Sequence, residues 1–219
     1  MFMVLSLIVS QTLNARIAKY SKVRISSGLT GREIAEKMLH DHGIYDVQVI
    51  STPGTLTDHY NPETKTVNLS QDIYSGVSIA SAAVAAHECG HAVQHATAYR
   101  WLTMRSKLVP MVQIGSKWSQ WVLLAGLVIL TFSHFIGQWI LFIGIALFAL
   151  TTLFSLITLP VEYNASARAV AWLDSTGMTN GQENDMAKDA LKWAARTYLI
   201  AALSSLATLL YYLSFLDRN

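Results

Sequence analysis

Cysteine occurs once in the 219 residues, at Cys89, so no disulfide can form within the chain. Charge is also scarce. Asp, Glu, Lys and Arg make up 14% of the residues, against roughly 25% in ordinary soluble domains. The net charge of +2 is too small to point to a nucleic-acid partner. The chain shows no internal repeat and no low-complexity linker. Its N-terminus lacks both a basic leader region and a small-residue cleavage site, so a cleaved signal peptide is not expected.

The shortage of charge is concentrated. Residues 118–159 contain no Asp, Glu, Lys or Arg, a length that accommodates two membrane spans and a short turn. Residues 133–138 form the natural turn and divide the run into 118–132 and 139–159. A further charge-free run at 198–216 predicts a C-terminal span. A soluble protein burying all of this would need a larger shell than the rest of the chain supplies. Residues 1–9 are apolar but too short to span alone, and are expected to anchor the chain at the membrane. The cations sit at the span ends: Arg16, Lys19, Lys22 and Arg24, then Arg100, Arg105, Lys107 and Lys117, then Arg168, Lys188, Lys192 and Arg196. A hairpin returns the chain to the side it left, so these all share one side, and that side should be cytoplasmic. The lipid bilayer, with its anionic headgroups, is the partner these cations fit.

The expected organisation is a membrane anchor over 1–25, a cytoplasmic subdomain over 26–117 and a transmembrane hairpin over 118–159. A cytoplasmic helical segment over 160–197 and a transmembrane helix over 198–219 complete it. Within the subdomain, Thr30-Gly31-Arg32-Glu33 fits a capping box. Ile34, Ala35, Met38 and Leu39 then form one apolar stripe, and Gly43 closes the helix. Residues 47–50 alternate as a short strand. Turns at Pro53-Gly54 and 61–65 leave 56–60 and 66–69 as hairpin strands. The fold class is therefore mainly α with a small β-sheet.

Proline is missing from residues 79–98, an Ala-rich stretch that Ser78 or Ser81 can cap. Inside it lies His87-Glu88-Cys89-Gly90-His91, the pattern HExxH. Residues four apart share a helix face, so the two imidazoles can grip one Zn²⁺ ion. Glu88 beside them can take the proton of a water polarised by the ion, which is what peptide-bond hydrolysis needs. Cys89, two positions on from His87, turns to the opposite side and is expected to be a buried small residue.

A catalytic zinc takes three protein ligands. The metzincin continuation is absent, because Ala92-Val93-Gln94-His95 follows the motif. His95, one further turn along a straight helix, could hardly converge on the same ion. Only two glutamates follow His91, Glu162 and Glu183. Glu183 sits in a polar stretch that suits a loop or helix start. Glu162 follows Pro160, a residue favoured in the first turn of a helix, and emerges from the hairpin on the side of the HExxH helix. Context favours Glu162 as the third ligand, the alternative being a Glu held by the helix dipole.

With HExxH, Glu162-Tyr163-Asn164-Ala165-Ser166 resembles the HtpX type of membrane zinc peptidase, in which a downstream E-x-x-A-D pairs with the motif. Ser166 stands where that group has Asp. A closer likeness is to the YugP-like family of neutral zinc metallopeptidases. That family carries D-H-Y-D-P followed by L-S, then A-A-H-E-x-G-H-A-x-Q-H, then L-P-V-E-x-x-A-S. The matching stretches are 58–62, 69–70, 85–95 and 159–166, with Asn61 departing from the pattern, and the likeness runs from about Thr30 to the last span. It implies a multi-pass, zincin-like (gluzincin-type) membrane metallopeptidase with Zn²⁺ as cofactor and polypeptides as substrates.

The expected activity is that of an integral membrane zinc endopeptidase. His87, His91 and Glu162 would bind zinc, and Glu88 would be the general base. A substrate strand would add to an edge near 66–69. His59, just before the hairpin turn, would help stabilise the oxyanion or simply pack the turn. Arg168 would hold Glu162 or flank the membrane. The alternatives are a zinc-stabilised membrane scaffold or chaperone without turnover, to which an intact Glu88 would be useless, and a zinc hydrolase of a non-peptide amide or lipid.

Overall fold

The computed structural model describes residues 2–216. The elements run α1 (Phe2–Tyr20), α2 (Gly31–Asp41), β1 (Gln48–Thr52), β2 (His59–Asn61), β3 (Thr66–Ser70), α3 (Gln71–Tyr74), α4 (Ile79–Ala96), α5 (Arg100–Leu130), α6 (His134–Ser175) and α7 (Gly181–Leu216). The chain is mainly helical with one small sheet, as its patterning predicts.

Local signals account for the shorter elements. Thr30 and Glu33 close the capping box of α2: Thr30 Oγ1 accepts from Glu33 N, and the Glu33 carboxylate accepts from Thr30 N at 2.8 Å. The four stripe residues of α2 are buried. Gly43, at φ +70°, takes the left-handed conformation that ends the helix. Ser78 caps α4 by accepting from Ser81 N at 3.1 Å. α4 is enclosed by α2, the sheet, α6 and α7. Because it is surrounded, its Ala and Cys positions are buried almost all round. Cys89 is fully buried, its Sγ 3.5 Å from Ala35 O, and acts as the packing residue expected.

The sheet order is β1-β3-β2, with β1 parallel and β2 antiparallel to β3. Strand β3 is therefore central, which corrects the expectation of a substrate-binding edge at 66–69. Both of its backbone edges are taken, and the free edges belong to β1 and β2. The hydrophobic pattern agrees with this: Val67–Ser70 are all buried, as a strand covered on both sides requires. Asn61, the departure from the family pattern, accepts from Glu63 N at 2.9 Å and Thr64 N at 3.3 Å and so builds the β2–β3 turn. Asp58 accepts from Ser70 N at 2.7 Å and pins the start of β2 to the end of β3.

The long helices differ from expectation in two places. The α5–α6 connection lies at 131–133, earlier than the 133–138 turn read from composition. Gly137 is helical there, and a Cβ on it would sit 2.4 Å from Leu130 N. That glycine serves the close approach of two helices rather than a turn. Likewise no helix begins at Pro160, which lies inside the continuous α6. The interruption is spanned by packing on α4 and its exit. Tyr99 Oη donates to Pro160 O at 3.5 Å, and Gln94 Nε2 donates to Val161 O at 2.8 Å. These bonds hold the turn that carries the proline against α4 and its exit.

Among the described residues, α6 and α7 are long and apolar enough to cross a membrane. α1 is not. Nor is α5, whose charge-free part begins only after Lys117 and rises about 20 Å at 1.5 Å per residue, against a hydrocarbon core of about 30 Å.

Candidate metal centre

His87 and His91 lie one turn apart on α4, their ring centroids 4.9 Å apart. Their Nε2 atoms face Glu162 Oε2 on α6, at 3.4 Å and 3.7 Å respectively. One ligand atom from each of the three residues falls within 4.8 Å of the others, so the trio can hold a metal ion. The helices meet because Gly90 leaves room: a Cβ there would lie 2.7 Å from Ala165 O. The face of α6 carrying Glu162, Ala165 and Ser166, at spacings of three and four, is thus pressed against the motif face of α4.

The outer nitrogens of both rings are held. Gln94 Nε2 donates to Val161 O and, at 3.0 Å, to Asn164 Oδ1, which turns Gln94 Oε1 toward His91 Nδ1 at 3.1 Å. An amide oxygen only accepts, so His91 Nδ1 carries a proton and Nε2 presents its lone pair inward. Ser166 Oγ is 3.2 Å from His87 Nδ1 and can play the same part. The residue that departs from the HtpX pattern therefore still reaches the histidine.

Two imidazole nitrogens and a carboxylate oxygen converge here. Glu162 Oε2 is buried and makes no hydrogen bond. Such an arrangement calls for positive charge. Burial on its own would lower the pKa of His91, but the nearby Glu162 and Glu88 carboxylates raise it. Burial on its own would raise the Glu162 carboxyl, but the two imidazoles bring it well below the usual range. Both shifts come from the pairing of the imidazoles with the neighbouring carboxylates, and an N₂O donor set of this kind suits zinc.

Glu88, largely buried, lines a cleft of about 260 Å³ with the three converging residues, and β2 forms one wall. His59 is on that wall. Its Nδ1 donates to Thr57 O at 2.8 Å. In the neutral ring Nε2 is then an acceptor, so His59 can donate into the cleft only when protonated. His95 stands outside the trio, its Nδ1 2.8 Å from Tyr60 Oη.

Glu183 is elsewhere. Its carboxylate accepts from Ser26 N, Ser26 Oγ and Asn180 N at 2.7–2.9 Å, the last forming a capping box at the start of α7. Both of its oxygens are used. Arg168 does not reach Glu162 and donates instead to Asn164 Oδ1 at 2.8 Å. Six residues along a helix turn a side chain to another face, so the pairing considered for it is geometrically unavailable. Arg105, from α5, supplies the cation beside Glu162 at 3.7 Å. Nothing in the sequence around Arg105 indicates this. Gln94 had a signal, as the Q of the family's A-x-Q-H, and Tyr198, which also lines the cleft, had none.

A helix bearing HExxH, crossed by a second helix that delivers a carboxylate, defines the class as a candidate zinc metallopeptidase. The chain belongs to the family described as "Putative neutral zinc metallopeptidase", whose model matches residues 1–217. It is similar to the "Putative membrane protease YugP" of Bacillus subtilis (strain 168), with 43% identity over 200 residues, covering 91% of this chain and 86% of that one. No solved structure matches.

Proposed function

We propose that the protein is an integral membrane zinc endopeptidase with its active site at the cytoplasmic border of the membrane. The observation that carries this reading is the buried, unbonded Glu162 Oε2 facing two imidazole nitrogens beside Glu88. His87, His91 and Glu162 would hold the ion, in a gluzincin-type arrangement, and zinc there would supply a water of lowered pKa, about 7, and a Lewis acid for the carbonyl. Glu88 takes the proton of the attacking water on a carboxylate oxygen and passes it to the leaving amine nitrogen. The substrate backbone pairs with the free edge of β2, the strand that walls the cleft, and binds without regard to most of its side chains. His59, which lines the same cleft, would help stabilise the developing oxyanion.

Membrane insertion rests on the surfaces of the long helices. Only 6% of the most apolar window of α7 is buried, and 28% of that of α6, so neither resembles the core helix of a soluble protein. Trp118, Trp121, Leu124, Val128, Phe135, Trp139 and Phe142 of α5 and α6 are all about half exposed or more, a belt that suits lipid. In this reading α6 and the segment from 198 cross the bilayer, the charge-free end of α5 enters it beside α6 with Lys117 reaching back toward the headgroups, α1 anchors at its surface, and 26–117 and 160–197 face the cytoplasm. Single cysteines at 131–133 and after His95, in a Cys89→Ala background, test the orientation in intact cells. An impermeant thiol reagent should label the turn and spare the site after His95; the opposite pattern reverses the topology.

The ligand set is tested by zinc affinity in two variants. Glu162→Gln should bind zinc substantially more weakly. Glu183→Gln should bind it as the wild type does and instead lose about 1–3 kcal/mol of stability, the cost of disturbing a buried hydrogen-bonded cap. Loss of affinity in the second variant alone would overturn the assignment. Cleavage of a detergent-solubilised unfolded protein, abolished by chelator, tests the peptidase activity itself.

A further inference from the structure

Arg105 sits on the second turn of α5, with Nη1 3.7 Å from Glu162 Oε1 and its guanidinium 5.9 Å from the centre of the Phe154 ring. Among the described residues it is the one Lys or Arg paired with Glu162. The two carboxylate oxygens are thus divided. Oε2 faces the imidazoles and Oε1 faces the cation. The terminal torsion of a glutamate is broad and nearly two-fold, so a carboxylate held at neither oxygen can turn and offer either or both. A guanidinium 3.7 Å from one oxygen biases that torsion by charge and offsets part of the cost of burying the carboxylate.

We propose that Arg105 is a positioning residue of the metal centre: it holds Glu162 Oε1 so that Oε2 alone is presented to the imidazoles, as a one-oxygen ligand. The inference rests on the reading of Glu162 as a zinc ligand. It also ties that ligand to the packing of α5 on α6, the most extensive helix pairing in the molecule, because the arginine and the glutamate come from different arms of that pair. Disturbing the α5–α6 hairpin would then loosen the metal without touching α4.

The sign of the effect discriminates. A cation beside a metal site repels the ion, so charge alone predicts tighter zinc binding when Arg105 is removed. Positioning predicts weaker binding. The experiment measures zinc affinity of the purified full chain by competition with a chromophoric chelator, for wild type, Arg105→Met, Arg105→Lys, Glu162→Gln and the Arg105→Met/Glu162→Gln double variant. Arg105→Met should weaken zinc binding about 10–100-fold, the usual effect of losing a group that orients a ligand. Arg105→Lys should recover part of that loss. In the Glu162→Gln background Arg105→Met should have no further effect, since its partner is gone. If Arg105→Met does not fold, Arg105→Gln, which keeps a donor without the charge, is compared in the same way. Unchanged or tighter binding, or an equal loss in the Glu162→Gln background, overturns the proposal while leaving the ligand set intact. Wild-type affinity in Glu162→Gln overturns both.

Discussion

Glu88→Gln should retain stoichiometric zinc and lose turnover by about 10²–10⁴-fold, the usual contribution of a general base. The amide is nearly isosteric with the carboxylate, so the packing of α4 should survive, but it cannot accept a proton from water. Glu88 is not among the three residues whose ligand atoms converge, which is why metal and turnover should separate. The measurement pairs metal content with cleavage of an unfolded protein. Near wild-type cleavage would show that another group takes the proton, and retained zinc with loss of the cleavage that the wild type shows would exclude a purely structural metal role for the motif. A scaffold reading predicts that this variant behaves as wild type in every assay, because a structural ion has no use for Glu88.

His87→Ala and His91→Ala should each empty the site, and the double variant should bind no zinc. Each imidazole supplies a direct coordination bond, and two remaining ligands hold zinc poorly. His91 is the more tightly prepared of the two, its tautomer set by Gln94, whose own amide is locked by Val161 O and Asn164. Its replacement also leaves Gln94 Oε1 without its partner in a buried place. His91→Ala should therefore cost more fold stability than His87→Ala, whose neighbour Ser166 can rotate its hydroxyl to another acceptor. Metal analysis and thermal unfolding of the chelator-treated proteins check both parts. Stoichiometric zinc in the double variant would place the ion elsewhere.

Much of the site is legible in the sequence, for reasons that differ from residue to residue. The HExxH spacing is a statement about a single helix, and helical periodicity converts it directly into a shared face. The capping signals at Thr30-Glu33 and Ser78 are equally local. Glu162 could be favoured over Glu183 from context. What separates them structurally is that Glu183 spends both oxygens on Ser26 and Asn180 while Glu162 keeps one unbonded. Two local inferences misplaced structural boundaries. Gly137 and Pro160 carry turn and helix-start signals, yet both are inside α6 because α5 and α4 pack against them.

By itself, then, the sequence determined the chemistry that one helix can state: two imidazoles and a carboxylate at fixed spacing, an Ala-rich and proline-free helix to carry them, and long charge-free runs unsuited to water. These are encoded by neighbours along the chain, where spacing sets direction. Which carboxylate meets the imidazoles, that Arg105 and not Arg168 stands beside it, how Gln94 and Ser166 turn the rings, and that β2 rather than β3 offers a free edge were decided only by tertiary structure. Each depends on residues far apart in sequence being brought within a few ångströms. That happens where Gly90 lets two helices touch and where β1 occupies the other side of β3, and no periodicity in a single segment records either contact.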